Sequence, residues 1–313
     1  MSHTASPSDE IRTVTVIGAG FLGRQIAALA AASRREVRLY DANPYAAPAA
    51  RSLLRDYLAS PVADGLLDWD LDEVLARIHP VASLEEAMRG TDLMIEAVRE
   101  DLETKREVFG AASAANPDAY LATNSSSLMS AQLRDVVSQT DKLVNLHFFG
   151  EFWNRSMVEL MGCGETSEET IITLHRFGQS LGLYCAVVRG QSKGFIINRV
   201  WRAVKREALR VVDEGHADPE DVDRLWALFW GTQQGPFGAM DRVGLDVVAD
   251  IEDSYIAVAT DPTDRPSRML HELVEAGRLG IKTGEGFYEY PNPAYRAPGW
   301  PRTSPSGDDS AGR

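Results

Sequence analysis

Two residues in the stretch VNLHFFGEFWNRSMVELMG, Val144 to Gly162, could do chemistry together: His147 and Glu159. Imidazole ordinarily titrates near about 6.5, so it can take and return a proton around neutrality. A carboxylate beside it can fix the ring tautomer and stabilise the imidazolium. Such a pair suits removal of a proton from a substrate hydroxyl. An isolated pair also fits a satisfied core histidine and a solvated carboxylate, so the rest of the chain has to decide.

A second motif lies near the start. GAGFLG is G-x-G-x-x-G: Gly18 permits a tight turn, Gly20 lets a pyrophosphate approach the backbone, and Gly23 lets a helix pack on its strand, with Phe21 and Leu22 completing the loop. The motif alone is weak. Here it follows the β-branched run TVTVI, opens the helical pattern FLGRQIAALAAAS, and is followed about 20 residues on by Asp41 at the end of a second strand pattern. A carboxylate there can accept from adenosine ribose hydroxyls and would repel a 2′-phosphate, which favours NAD over NADP. The competing reading of Asp41 is a cap for the turn before Asn43-Pro44.

The elements that must position these residues alternate in type. Strand patterns recur at EVRLYDANP, DLMIEAV, AYLATNSS, KLVNLHFF and MVELMGC, with helical patterns such as EDLETKREVFGAASAA between them. From about 45 to 90 the pattern is helical, broken by Pro61 and Pro80. This predicts an α/β fold with a Rossmann-type doubly wound parallel sheet over residues 11–189. From 190 to 290 long helical patterns without strands predict a smaller all-helical domain, with Gly215 as a helix C-cap and Asp218-Pro219 as a helix start. The tail 291–313, rich in Pro, Ser, Gly and Asp, is expected to be disordered.

Composition excludes several classes. The 313 residues carry a formal charge of −14, which argues against nucleic acid or an anionic membrane as a partner. Mean hydropathy is −0.22, and neither an apolar run of about 18 residues nor a signal-peptide core is present, so the expected location is the cytoplasm. Cys163 and Cys185 form no C-x-x-C pair, so no disulfide framework and no metal site is expected.

VIGAGFLGRQIA, IEAVREDLETKREVF, TNSSSL, HFFGEFWNRSMVEL, GFIINR, GPFGAMDRVGLD and GIKTGEGFYEY, in this order from about Thr13 to Tyr290, resemble the signature blocks of the L-3-hydroxyacyl-CoA dehydrogenase family. The resemblance implies His147 as catalytic base and Glu159 as its partner. It places a substrate-contacting serine at Ser126 and an asparagine that helps hold the 3-oxygen at Asn198. It carries NAD contacts to Glu100, Lys105 and Lys282. It also implies a homodimer through the helical domain. For each there is a plainer reading: Ser125 to Ser127 as a polar turn, Asn198 as a helix cap, Glu100 and Lys105 as solvated helix charges. Trp201, Trp226, Phe229 and Trp230, at helical spacing, read as core or dimer interface.

The sequence departs from the family in three places. HFFNP is usual where this chain has His147-Phe148-Phe149-Gly150-Glu151, removing an asparagine that would support the histidine; Asn154 is the nearest replacement. Lys193 stands where a proline is usual. Residues 46–90 hold Arg51, Arg55, Arg77 and Arg89 but no lysine, in a hairpin that the family makes lysine-rich to receive coenzyme A. The resemblance therefore implies NAD-dependent interconversion of a 3-hydroxyacyl thioester and its 3-oxoacyl form. The alternatives are an acyl-carrier-protein thioester, as in polyketide extender units, a free hydroxy or sugar acid, or a catalytically silent dinucleotide-binding protein.

Overall fold

The structure is a computed structural model and describes residues 11–302 apart from 258, 260, 262 and 263. The chain divides into two compact units between Ile196 and Ile197. The expected boundary at 189/190 lies a little earlier, because the turn through Phe195 and Ile196 is still tied to the first unit: Phe195 stacks on His147 and the Ile196 N–H donates to Glu159.

In the first unit β1 (Thr13–Ile17), β2 (Glu36–Tyr40), β3 (Ile78–Pro80), β4 (Leu93–Glu96), β5 (Tyr120–Thr123), β6 (Leu143–Phe148), β7 (Met157–Gly162) and β8 (Tyr184–Val188) form one sheet in the order β3-β2-β1-β4-β5-β6-β7-β8. All neighbours are parallel except β6 and β7, which are antiparallel. The central strands are buried on both faces, which is why they read as continuous apolar runs. The order reverses at β1, whose neighbours are β2 and β4. Ligands of open α/β sheets bind at the carboxyl ends of strands beside such a switch point.

The flanking helices are α1 (Phe21–Ala32), α2 (Ala46–Ala63), α3 (Leu71–Ala76), α4 (Leu84–Met88), α5 (Leu102–Ala115) and α6 (Glu168–Ser180). Alanines on α1 allow close approach to the sheet, and Ala27, Ala28, Ala30 and Ala31 are fully buried. Two readings of the 45–90 segment are corrected. Pro61 does not break a helix: it lies in the last turn of α2, where its missing N–H costs one ladder bond. Pro80 ends a strand rather than a helix, and the edge position of β3 is where a sheet tolerates proline.

The second unit contains α7 (Ile197–Asp213), α8 (Pro219–Trp230), α9 (Pro236–Val243), α10 (Leu245–Ile256) and α11 (Arg268–Glu275). Leu209, Phe237, Met240, Leu245, Val248 and Leu270 are its core. Two buried carboxylates brace it. Asp223 accepts from the N–H groups of Phe237 and Gly238 (both 2.8 Å) and from the Tyr288 hydroxyl (2.9 Å). Asp241 accepts from Phe287 N, Tyr288 N and Tyr290 OH. The expected disorder from Pro291 does not begin there: Tyr295 packs edge-on against Tyr288 and Arg224 donates to the Pro301 carbonyl, so aromatic contacts order this segment. Residues 303–313 of the expected tail lie outside the described residues.

Candidate active site

The glycine loop shows three separate uses of glycine. Gly18 has φ +107° and a Cβ there would lie 2.5 Å from the Ala97 carbonyl oxygen. A Cβ at Gly23 would meet the Gly18 oxygen at 1.9 Å, whereas a Cβ at Gly20 would meet nothing within 4 Å. The first and third glycines are demanded by the protein's own packing. The second is not, and it caps the N-terminus of α1, where no side chain satisfies the first N–H groups. A pyrophosphate fits this open, donor-rich cradle. Asp41, just beyond β2, accepts from Ala19 N (2.7 Å) and Asn43 N (2.8 Å). It shapes the turn, and both oxygens keep acceptor capacity for ribose hydroxyls.

Beside the loop, the ends of β4 and β5 carry a buried charge network. Glu96, fully buried on an otherwise apolar strand, accepts from Lys105 Nζ, Val98 N and Thr123 Oγ1, each at 2.7 Å. Lys105 is 1% exposed and also lies 3.2 Å from Glu100. It is therefore a compensated buried cation, not a solvated helix charge. Glu100 in turn accepts from Ser125 Oγ, from Ser127 N (3.0 Å) and from Ser127 Oγ (2.7 Å). Burial pulls the Glu100 carboxyl upward, but the donors Ser125 and Ser127 and the Lys105 cation outweigh it and leave it below the usual range. Ser126, exposed at the tip of this loop, is presented by its two held neighbours.

His147 and Glu159 are opposite each other in the β6–β7 register, with Nδ1 and Oε2 3.0 Å apart. Both are nearly buried, at 5% and 4%. The imidazole packs against two rings, tilted on Phe149 at 4.4 Å and stacked on Phe195 at 5.0 Å between centroids. Glu159 Oε1 accepts from Ile196 N (2.9 Å). The strand end is fixed by Asn124, whose Oδ1 accepts from Phe148 N (2.7 Å).

The structure places Gly18, Gly20, Asp41, Glu100, Ser126, His147 and Glu159 on strands and connecting loops of the first unit, Phe21, Leu22 and Gly23 in the first turn of α1, and Lys105 within α5. Asn198, half-buried in the first turn of α7, and Lys282, whose Nζ is 2.5 Å from Asp246 Oδ1, belong to the second unit. Sequence reasoning missed Glu96, Asn124, Gln25 and Phe195. A charged residue inside the apolar run LMIEAV was a usable signal for Glu96; the others are visible only through their partners. Among the described residues, no group of three His, Cys, Asp or Glu side chains could hold a metal, and no helix is long and apolar enough to cross a membrane.

A glycine turn at the switch point of a doubly wound sheet, with an imidazole–carboxylate pair on nearby strand ends, defines the class: an NAD-dependent oxidoreductase. The chain belongs to the 3-hydroxyacyl-CoA dehydrogenase family, whose NAD-binding domain matches residues 13–191 and whose C-terminal domain matches 194–290. It is 34% identical to a probable 3-hydroxybutyryl-CoA dehydrogenase of Bacillus subtilis, over 90% of this chain and 98% of that one. It is 33% identical to the human mitochondrial hydroxyacyl-coenzyme A dehydrogenase, over 92% and 95%. It also resembles the crystal structure of (S)-3-hydroxybutyryl-CoA dehydrogenase from Ralstonia eutropha, with TM-score 0.83 and 31% identity, over 90% and 100% of the two chains.

Proposed function

We propose that this protein interconverts a 3-hydroxyacyl-CoA and its 3-oxoacyl form with NAD, and that His147 moves the proton. The observation that carries the reading is the buried His147–Glu159 pair. With Nδ1–H donated to Glu159, the Nε2 lone pair is the one left to accept a hydroxyl proton, and the carboxylate stabilises the imidazolium that forms. The Gly18 to Gly23 loop, Asp41 and Glu100 would hold NAD, with the buried Lys105 supporting Glu100 from behind, and NAD would supply hydride acceptance at nicotinamide C4. Ser126 holds the 3-oxygen as charge develops on it. Phe149 and Phe195 exclude water from the imidazole.

We place the dimer contact on the helical unit. Leu225, Leu228, Phe229 and Trp230 on α8 and Val200 on α7 leave large apolar side chains exposed, Phe229 by 77%. Two buried, free cysteines suit a reducing compartment such as the cytoplasm. A carrier other than coenzyme A is favoured by one feature, the α2–α3 hairpin. It has no lysine, Arg51 is spent on the Ile78 carbonyl (2.8 Å from Nε) and Arg55 on Asp72 (2.6 Å). The experiment is NADH oxidation with a 3-oxoacyl group as CoA, carrier-protein and free-acid forms. The CoA form is expected to turn over fastest, and turnover of the free acid alone would reject the thioester reading.

A further inference from the structure

The turn after the His147 strand is tied within its own sequence on its carbonyl side, where Glu151 O accepts from Asn154 N (2.8 Å) and Arg155 N (3.0 Å), but its N–H side is met from elsewhere in the fold. β6 is fixed at Phe148 by Asn124, and the chain is anchored again at Phe152 and Trp153, which pack on Trp69 (5.3 Å) and Tyr57 (5.4 Å). Between these anchors lie Phe149, whose ring covers the imidazole, then Gly150 and Glu151. Glu151 has φ +57°, a left-handed conformation that a residue with a Cβ adopts only when its surroundings impose it. What fixes it from outside the turn is Gln25, on α1. Its Oε1 accepts from the Glu151 N–H at 2.8 Å, and the side chain is 1% exposed.

Gly150 belongs to the same device. Its Cβ, were there one, would lie 3.6 Å from the Phe21 ring and 3.7 Å from the Gln25 amide nitrogen, which is ordinary contact. The backbone does not require glycine there, so the glycine leaves room beside a buried amide supplied by the helix. Proline at 151 would be doubly incompatible: its φ is locked near about −65° and it has no N–H for Gln25. Gln25 and the Gly150–Glu151 turn are therefore matched to each other: the buried amide supplies the acceptor that a free Glu151 N–H requires.

We propose that Gln25 is a positioning residue of the reaction: by accepting the Glu151 N–H it sets the Gly150–Glu151 turn and thereby seats Phe149 against His147. The inference rests on the reading of His147 as the proton-transfer group. A small displacement of such a group costs rate more than binding, since misplacement by about 1 Å can cost about a hundredfold.

The test uses the full-length protein with NADH and acetoacetyl-CoA. Gln25→Met keeps the volume and removes the acceptor; Gln25→Glu keeps the acceptor. Glu151→Pro removes the N–H, whereas Glu151→Gly keeps it and accepts φ +57°. Expected are a fall in kcat of about tenfold or more for Gln25→Met and Glu151→Pro, with KM for NADH within about twofold. Gln25→Glu and Glu151→Gly stay within about threefold of the parent, and adding Gln25→Met to Glu151→Pro costs nothing beyond Glu151→Pro alone, as for two ends of one hydrogen bond. The ¹⁵N spectrum of the His147 ring in the protein without NADH changes in the same two variants, independently of turnover and of any one variant's yield. The proposal is overturned if Gln25→Met leaves kcat and that spectrum unchanged, or if Glu151→Gly loses as much as Glu151→Pro. A parent inactive on every 3-oxoacyl form, with a His147 spectrum that still responds to Gln25→Met, would sink the substrate reading and leave the positioning role standing.

Discussion

His147 and Glu159 are register partners across the antiparallel β6–β7 pair, so the sheet's own hydrogen-bond ladder, not a loop, fixes the 3.0 Å contact between them. The second Glu159 oxygen is held by the Ile196 N–H. The carboxylate is thus oriented at both ends before any substrate arrives. Glu159→Gln can present an amide N–H to Nδ1 and select the wrong tautomer. We expect kcat to fall by about a hundredfold with KM for NADH little changed, read by steady-state NADH oxidation. A fall of less than about threefold would mean the carboxylate does not orient the ring.

The glycine loop predicts three different outcomes from one substitution. Gly18→Ala and Gly23→Ala force a Cβ into backbone at 2.5 and 1.9 Å, so both lower thermal stability as well as NADH binding. Gly20→Ala meets no protein atom within 4 Å and leaves the melting temperature within about 1 °C, yet weakens NADH by about tenfold or more, because the methyl stands where a pyrophosphate approaches. Fluorescence titration with NADH and a melting curve for each variant separate the two costs. Tight NADH binding by Gly20→Ala would remove the cradle from the dinucleotide site.

Lys105, itself 1% exposed, is compensated by two carboxylates, Glu96 and Glu100. Lys105→Met strands Glu96 as a buried charge and should destabilise the first unit by about 3 kcal/mol or more. The exposed Arg55–Asp72 pair, although 2.6 Å apart, should contribute less than about 1 kcal/mol when Arg55 is replaced. Urea unfolding of both variants checks the contrast. Equal effects would argue that Lys105 is not the counter-charge of Glu96.

Asp223 gives the second unit a pH dependence of a definite sign. Burial raises its carboxyl, partly offset by the donors Gly238, Phe237 and Tyr288, and leaves it at about 6 against an ordinary 3.8. Across that window the folded protein keeps a proton that the unfolded chain has released, so stability falls as pH rises through it, by at most about 3 kcal/mol. Glu100 in the first unit, held below its ordinary 4.5, contributes with the opposite sign, and its share is lost on acidification. Hydrogen exchange at the Phe237 and Gly238 amides, corrected for intrinsic rates, should give opening free energies that drop from pH 4.5 to 6.5. A rise over that range would contradict the buried-carboxylate argument.

Much of the fold was legible because parallel strands buried on both faces leave apolar runs, and because GAGFLG and Asp41 sit at the positions a βαβ turn dictates. The same periodicity failed at Ile78–Pro80, where three residues on an edge are too few to show a period and a proline looks like a breaker. It failed again after Pro291, where a Pro- and Gly-rich composition hid Tyr295 and Trp300 as anchors. In the site, His147 and Glu159 could be paired from spacing and resemblance. Gln25 could not, since a glutamine on a helix has no pattern of its own and acquires meaning only from the Glu151 N–H that tertiary folding brings to it.

In the proposed reaction His147 moves the substrate proton. The direct measurement is kcat for NADH oxidation with acetoacetyl-CoA in the His147→Ala variant, alongside NADH binding to the same protein. Loss of about 10²- to 10⁴-fold in kcat with NADH still bound at near-parent affinity is the predicted result. A variant that binds NADH and keeps kcat within about tenfold of the parent would contradict it.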